Sequence, residues 1–383
     1  MDNPFRIGER VSGEHFTDRA EEVKRIHRAM RDPSRLLVYG PRRMGKSSAI
    51  QVAADRFSQE GGIAVRADLG GATGTTEVAD RLLTSLARAV PSGNPVRLSD
   101  WIQALRLELT ADPAGAPVLR LGVRPPDGLG ARRVGEGSLG GLAAVLDRLD
   151  RMGAEGEAPV CVVLDEFQRL VEFGPDRAGW ELRDLMQGHH HLSYVCAGSE
   201  EGIIEDLTAG DGPFHGAFER LYVAEMPRDH FSRWIGDRMR SGGLKVTDEV
   251  GGDVIDRAGP RTEDVLKLAR QVWFQGMARG RLEPGDVDDA LSAIVRADRG
   301  VFETLWAGLT PHQRNVLRAV AGGAEALTSA DVREHYNLRS ASAVSQAVDA
   351  LLKRGLLARA RGVVVFEDPF FGAWVRKELP PGV

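Results

Sequence analysis

The sequence is short of the residues that mark several classes of function. Among 383 residues there are two cysteines, Cys161 and Cys196. Both sit in apolar, strand-like runs, so buried free thiols are expected in place of a disulfide, and no cysteine–histidine spacing suits zinc. Three consecutive histidines, His189-His190-His191, have no companion ligands and read as a loop or helix end. No apolar run approaches the roughly 20 residues that span a bilayer. The polar start, Met1 to Arg10, lacks the pattern of a signal peptide, so a cytoplasmic protein with no membrane partner is expected. An excess of positive charge is also missing. The formal net charge is −5, which argues against a protein that coats polyanions generally and leaves room for one basic face. What remains is an ordinary globular composition, 42% hydrophobic and 27% charged, long enough for two or three domains.

The strongest local signal is Gly40-Pro41-Arg42-Arg43-Met44-Gly45-Lys46-Ser47, which fits G-x-x-x-x-G-K-[ST]. Leu36 to Tyr39 before it reads as a short buried strand. Ser48 to Phe57 after it reads as a helix with Ile50, Ala53, Ala54 and Phe57 on one face. Strand, loop and helix are the context a phosphate-binding loop requires. Gly40 and Gly45 let the backbone close around phosphates, and the N–H groups through Ser48 point inward at a helix N-terminus. Lys46 supplies a charge for the terminal phosphates and Ser47 a hydroxyl for Mg²⁺. Arg42 and Arg43 face phosphate, a partner or solvent.

Further along, Pro159 to Glu166 reads as a fully buried strand ending in two acids. After a phosphate loop, such a strand delivers Asp165 to Mg²⁺, and Glu166 can polarise the water that attacks a γ-phosphate; a solvated turn is the bland alternative. Strands are also expected at 62–69, 193–199 and 221–226, with helices at 76–90, 98–109, 139–152 and 177–187 between them. Strands alternating with helices imply a parallel α/β sheet that binds ligands at its carboxyl edge. Ser199 falls on that edge, as a γ-phosphate sensor or as the cap of the helix that follows. Arg220, before the fifth strand, can approach a γ-phosphate in its own chain or a neighbour's, or pair with Glu219 or Glu225. Residues 110–141 are rich in turns and read as an insertion with a short hairpin. The expected boundaries are a P-loop core at 1–227, a helical lid at 228–299 and a third domain at 300–383.

That third domain shows three helices and a two-stranded hairpin, the winged-helix pattern. Its recognition helix, Ser340 to Arg354, is weakly basic: the candidate DNA contacts are Arg339, Lys353, Arg354, Arg359 and Arg361. Residues 301–383 hold ten Lys/Arg against eight Asp/Glu, a weaker bias than DNA readers carry, so a protein-contact or regulatory role stands beside DNA binding.

Asn3-Pro4-Phe5, Phe16-Thr17-Asp18-Arg19, Gly40 to Ser47, Asp165-Glu166-Phe167-Gln168, Gly198-Ser199 and Phe366 to Trp374 occur in this order. The set resembles the archaeal-type ATPases, P-loop proteins of the AAA+-like STAND group, over nearly the whole chain apart from 110–141. The resemblance implies an ASCE/AAA+-like core, a helical lid and a winged helix, with ATP and Mg²⁺ as cofactors. It implies that Phe16 to Arg19 borders the adenine and that Arg261, after Gly259-Pro260, stands where such proteins carry a sensor arginine for the phosphates. The expected function is an ATP-hydrolysing switch that gates a protein interaction or self-association; the alternative is an ATP-controlled DNA-binding regulator or initiator.

Overall fold

A computed structural model describes residues 3–5, 19–89, 107–111, 117–121, 139–156, 158–173, 178–199, 201–283, 285–360 and 362–377. Phe16, Thr17, Asp18, Arg361 and most of the expected insertion lie outside the described residues. The chain divides into two compact units, one spanning residues 10–224 and the other formed by residues 1–9 with 225–383.

The first unit is built on β1 (Arg35–Tyr39), β2 (Ile63–Asp68), β5 (Val160–Asp165), β6 (Leu192–Gly198) and β7 (Glu219–Tyr222), with a separate hairpin of β3 (Leu107–Ala111) and β4 (Pro117–Leu121). The five-stranded sheet has the order β2-β5-β6-β1-β7 and every pairing is parallel. Helices α1 (Ala20–Arg31) and α2 (Lys46–Gln59) cover one face through Val23, Ile26, Met30, Ile50 and Phe57. Helices α3 (Thr75–Ala89), α4 (Gly141–Ala154), α5 (Ala178–Gly188) and α6 (Glu201–Thr208) join the core of the other face through Leu82, Leu146, Leu182 and Ile204. β5 reads as one unbroken apolar run because both its faces are buried: Cys161 and Val163 point to the first core, Val162 and Leu164 to the second. Each large side chain so buried contributes roughly 1.5–3 kcal/mol.

Two expectations need correction. Residues 107–109, expected at the end of a helix over 98–109, lie in β3, where Leu109 pairs with Leu119; residues 98–106 are outside the described set. The fifth strand runs 219–222, not 221–226, because β7 pairs with β1 only from Glu219 opposite Leu36 to Tyr222 opposite Tyr39. The two cysteines are free and buried, and burial pushes the Cys161 thiol up to about 12, so it stays protonated and inert. His189 is buried between the Tyr194 hydroxyl (2.6 Å) and Asp147 (3.0 Å), and no cluster of three or more His, Cys, Asp or Glu among the described residues is arranged to hold a metal.

The second unit is helical from its start: α7 (Arg228–Ser241), α8 (Val250–Ala258), α9 (Thr262–Met277), α10 (Asp286–Ala297) and α11 (Arg299–Ala307). Then come α12 (Pro311–Ala321), α13 (Ala330–His335), α14 (Ala341–Lys353), a wing of β8 (Leu357–Ala360) and β9 (Val363–Phe366), and α15 (Pro369–Lys377). Thr310 closes a capping box with Gln313, and the Ser329 and Ser340 side chains cap the next two helices. Val254, Leu268, Ile294, Phe302, Leu317, Leu351 and Phe371 belong to one core, so the helical segment and the winged helix are one body. Phe5 enters the same core, edge-on to Trp234. Among the described residues no helix is long and apolar enough to cross a membrane.

Candidate nucleotide site

Strand order places the site. β6 stands between β1 and β5, so the loop after Tyr39, the acids ending β5 and Ser199 after β6 gather at one carboxyl edge. The loop folds tightly because three of its residues take positive φ: Gly40 (145°), Arg43 (65°) and Gly45 (87°). At Gly40 a Cβ would lie 2.5 Å from the Val223 carbonyl oxygen, so only glycine fits. Gly45 is the N-cap of α2 and offers no side chain; the first turn carries no acid, which leaves the positive end of the helix facing the loop. Met44 is buried and anchors the loop in the α1–α2 core.

Lys46, buried in the first turn, donates from Nζ to the carbonyls of Gly40 (2.8 Å) and Pro41 (2.6 Å), which holds its charge inside the loop. The Ser47 hydroxyl donates to Asp165 Oδ2 at 3.0 Å, and Glu166 N–H to Asp165 Oδ1 at 3.1 Å. Burial pushes the Asp165 carboxyl above its ordinary range; the Ser47 bond opposes this, and the Asp68 and Glu166 carboxylates add to it. These donors fit Mg²⁺. A hydroxyl and a carboxylate in contact, with the Asp68 and Glu166 carboxylates near by, are hard oxygen ligands. With no three-acid cluster among the described residues, phosphate oxygens and water would complete the shell, as this ion prefers.

Glu166 stands at φ 52°, a left-handed conformation that is strained for a non-glycine residue. Its carboxylate accepts from the Ser199 hydroxyl (3.0 Å to each oxygen) and from Gln168 Nε2 (2.5 Å). Arg42 Nε donates to Ser199 Oγ at 3.3 Å, so a side chain of the loop reaches the same network. Arg43 and Ser48 lie beside it in the loop and first turn, Arg43 exposed and Ser48 half-buried.

The other expected residues make contacts within their own units. Arg19, 3% exposed, donates to Met44 O (3.2 Å) and Ala224 O (2.6 Å) and pairs with Glu22, bracing the loop from behind. Arg220 is opposite Leu37, short of the carboxyl edge, and donates to Thr208 O. Arg261 is the N-cap of α9 in the second unit, where it pairs with Glu367 at 2.8 Å and also donates to the Glu367 carbonyl. Among the DNA candidates, Arg339, Lys353, Arg354 and Arg359 are exposed. Arg354 donates to Gly308 O, and Arg359 stands 4.0 Å from Asp349. The exposed face of α14 presents Ser342, Ser345, Gln346, Asp349 and Lys353, with one charge of each sign.

Sequence reasoning missed two neighbours of the site. Asp68 ends β2 directly opposite Asp165, and both line a cavity of about 730 Å³ with Arg66, Asp80, Arg81 and Ser85. The acid ending a strand was a visible signal, but its partner depended on strand order. Gln168 was visible only as a neighbour of the acids.

Residues 300–377 match a family described as a probable winged helix domain. No curated protein sequence matches the chain. A Walker-type ATPase of Pyrococcus abyssi is similar in structure, with TM-score 0.63 and 18% identity over 97% of this chain and 99% of that one. The Aeropyrum pernix ORC2 protein, solved as ADPNP-ADP complexes, gives 0.55 and 14% over 94% and 93%. The ORC1 protein of the same organism, solved in complex with DNA, gives 0.50 and 17% over 96% and 94%. From P-loop core to C-terminal winged helix, the chain has the fold of the archaeal Walker-type ATPases.

Proposed function

We propose that the protein binds ATP and hydrolyses it slowly in a Mg²⁺-dependent manner, as a switch whose nucleotide state gates a protein interaction or self-association. The observation that carries this reading is the convergence of loop and acids: Ser47 on Asp165, and Arg42 through Ser199 on Glu166. The loop N–H groups and Lys46 bind the phosphates. Mg²⁺, when bound, neutralises charge on the phosphate oxygens, and Ser47 and Asp165 would hold it. Glu166 accepts the proton of the attacking water, and the hydroxyl of Ser199 fixes the orientation of that carboxylate. Asp165 keeps Ser47 aimed at the cation position. A core of residues 1–227, a lid of 228–299 and a winged helix from 300 are the parts such a switch would use. Lys46→Ala tests the phosphate assignment: a fluorescent ATP analogue should bind on the order of 10²-fold more weakly, from the loss of a charge-assisted contact, and unchanged affinity sinks it.

DNA binding through the winged helix is the second reading, supported by the likeness to a protein solved with DNA. The near-neutral face of α14 favours a protein partner. A salt-dependent duplex shift that disappears when Arg354, Arg359 and Arg361 become Ala would reverse that preference.

A further inference from the structure

Gln168 is 0% exposed, in the 3₁₀ turn Phe167–Phe173 that follows the strained Glu166. Phe167, packed edge-on against Phe214 and Phe218, pins the start of that turn. The turn brings the Gln168 side chain back onto Glu166, where Nε2 lies 2.5 Å from Oε2. A carboxylate only accepts, so the amide nitrogen must be the end that faces it. The other end is then directed at β6. Gln168 Oε1 is buried without a hydrogen-bond partner, and a Cβ on Gly198 would stand 2.9 Å from it. An orphaned buried carbonyl is destabilising. An unbranched apolar side chain would occupy the same space without that penalty, so packing alone does not account for this residue. What the amide adds is a second donor on Glu166, beside the Ser199 hydroxyl that spans both carboxylate oxygens.

We propose that Gln168 is a positioning residue for Glu166: its buried amide and the Ser199 hydroxyl together clamp the carboxylate in one orientation beside the phosphate loop. The inference rests on the reading of Glu166 as the base of an ATP-hydrolysing site. Gly198 is part of the device, because a larger residue there would meet Ile204 Cδ1 at 2.6 Å as well as the amide oxygen. Arg42 gives the clamp an end on the loop through its bond to Ser199.

The test compares the full-length parent, Gln168→Met, Glu166→Gln and the double variant, in ATP turnover, binding of a fluorescent ATP analogue and thermal denaturation. Gln168→Met should lower kcat about 10–100-fold, a part of what general-base catalysis supplies. KM and analogue affinity should stay unchanged, and Tm should change little, because loss of the bond to Glu166 is offset by removal of the orphaned oxygen. In the Glu166→Gln background the same change should leave residual turnover unaltered, since the group it acts through is already removed. Parental kcat in Gln168→Met overturns the proposal. So does a joint fall of Tm, affinity and kcat, or an undiminished effect in the Glu166→Gln background, since either makes Gln168 structural only. Should Gln168→Met fail to fold, Gln168→Leu is held to the same outcomes, and failure of both to fold also marks the residue as structural. A parent with no turnover, or Glu166→Gln with parental turnover, sinks the reading of the site and this proposal with it.

Discussion

Replacing Asp165 by asparagine removes a charge and keeps the shape of the side chain. Asp165 Oδ2 accepts from the Ser47 hydroxyl and Oδ1 from the Glu166 N–H. In the Asp165→Asn variant the amide oxygen keeps the N–H bond, and the amide nitrogen donates to a Ser47 hydroxyl turned to accept. The carboxyl is raised from its ordinary range chiefly by burial, so the folded state holds its proton more tightly than the unfolded chain does. Stability therefore falls as pH rises from the unfolded value through the folded one, and the full penalty of the buried charge is present above it. At pH 7, without divalent cation, Asp165→Asn should be more stable than the parent by about 1 kcal/mol, the usual scale for relief of a functional-site conflict. For a unit of this size that is about 2–4 °C in Tm. The gap should close as pH drops through the carboxylate range. With Mg²⁺ and a non-hydrolysable ATP analogue the order should invert: a ligand at 100 times its Kd adds about 2.7 kcal/mol to the parent, and the variant should gain none of the Mg²⁺-dependent part. Thermal denaturation across pH, with and without Mg²⁺ and analogue, reads all three. A variant less stable than the parent at pH 7 in the absence of cation, or one that keeps the Mg²⁺-dependent gain, refutes the reasoning.

Gly40 and Gly61 both take positive φ, but only Gly40 faces backbone across a gap that a Cβ would close to 2.5 Å. Gly61→Ala should cost about 1–3 kcal/mol of backbone strain and leave nucleotide affinity alone, whereas Gly40→Ala should lose nucleotide binding altogether; equal behaviour of the two in denaturation and binding assays contradicts the loop geometry. Arg261→Met should destabilise the second unit by about 1.5–3 kcal/mol, the scale of hydrogen bonds to a charged group, because Arg261 and Glu367 are only 13% and 24% exposed. Glu367→Gln should cost less, since Arg261 still has acceptors; chemical denaturation that ranks them the other way removes the pair from its structural role.

The elements legible in the sequence were those whose signal is local. The glycines and lysine of the loop and the unbroken run of β5 each declare themselves within a few residues. What failed was decided at a distance. Leu98, Ile102, Leu105 and Leu109 have helical spacing, yet Leu107 and Leu109 also alternate as a strand does, and pairing with Leu119 and Leu121 settles it. The run at 221–226 looked like a strand throughout, but β1 is short and the ladder ends at Tyr222, after which the Val223 N–H bonds onward to the Tyr39 carbonyl. In the site, Ser47, Lys46, Asp165 and Glu166 were expected from spacing, while Asp68 required the order of strands and Gln168 required the positive φ of Glu166. Neither can be read from neighbours in sequence.

Glu166 is the base of the proposed phosphate site. The most direct test of that role is single-turnover hydrolysis of Mg·ATP by the parent and by Glu166→Gln, with analogue binding measured on the same samples. Parental turnover should depend on Mg²⁺, and the variant should bind as tightly but turn over about 10²–10⁴-fold more slowly. A variant that hydrolyses ATP at the parental rate would contradict that role.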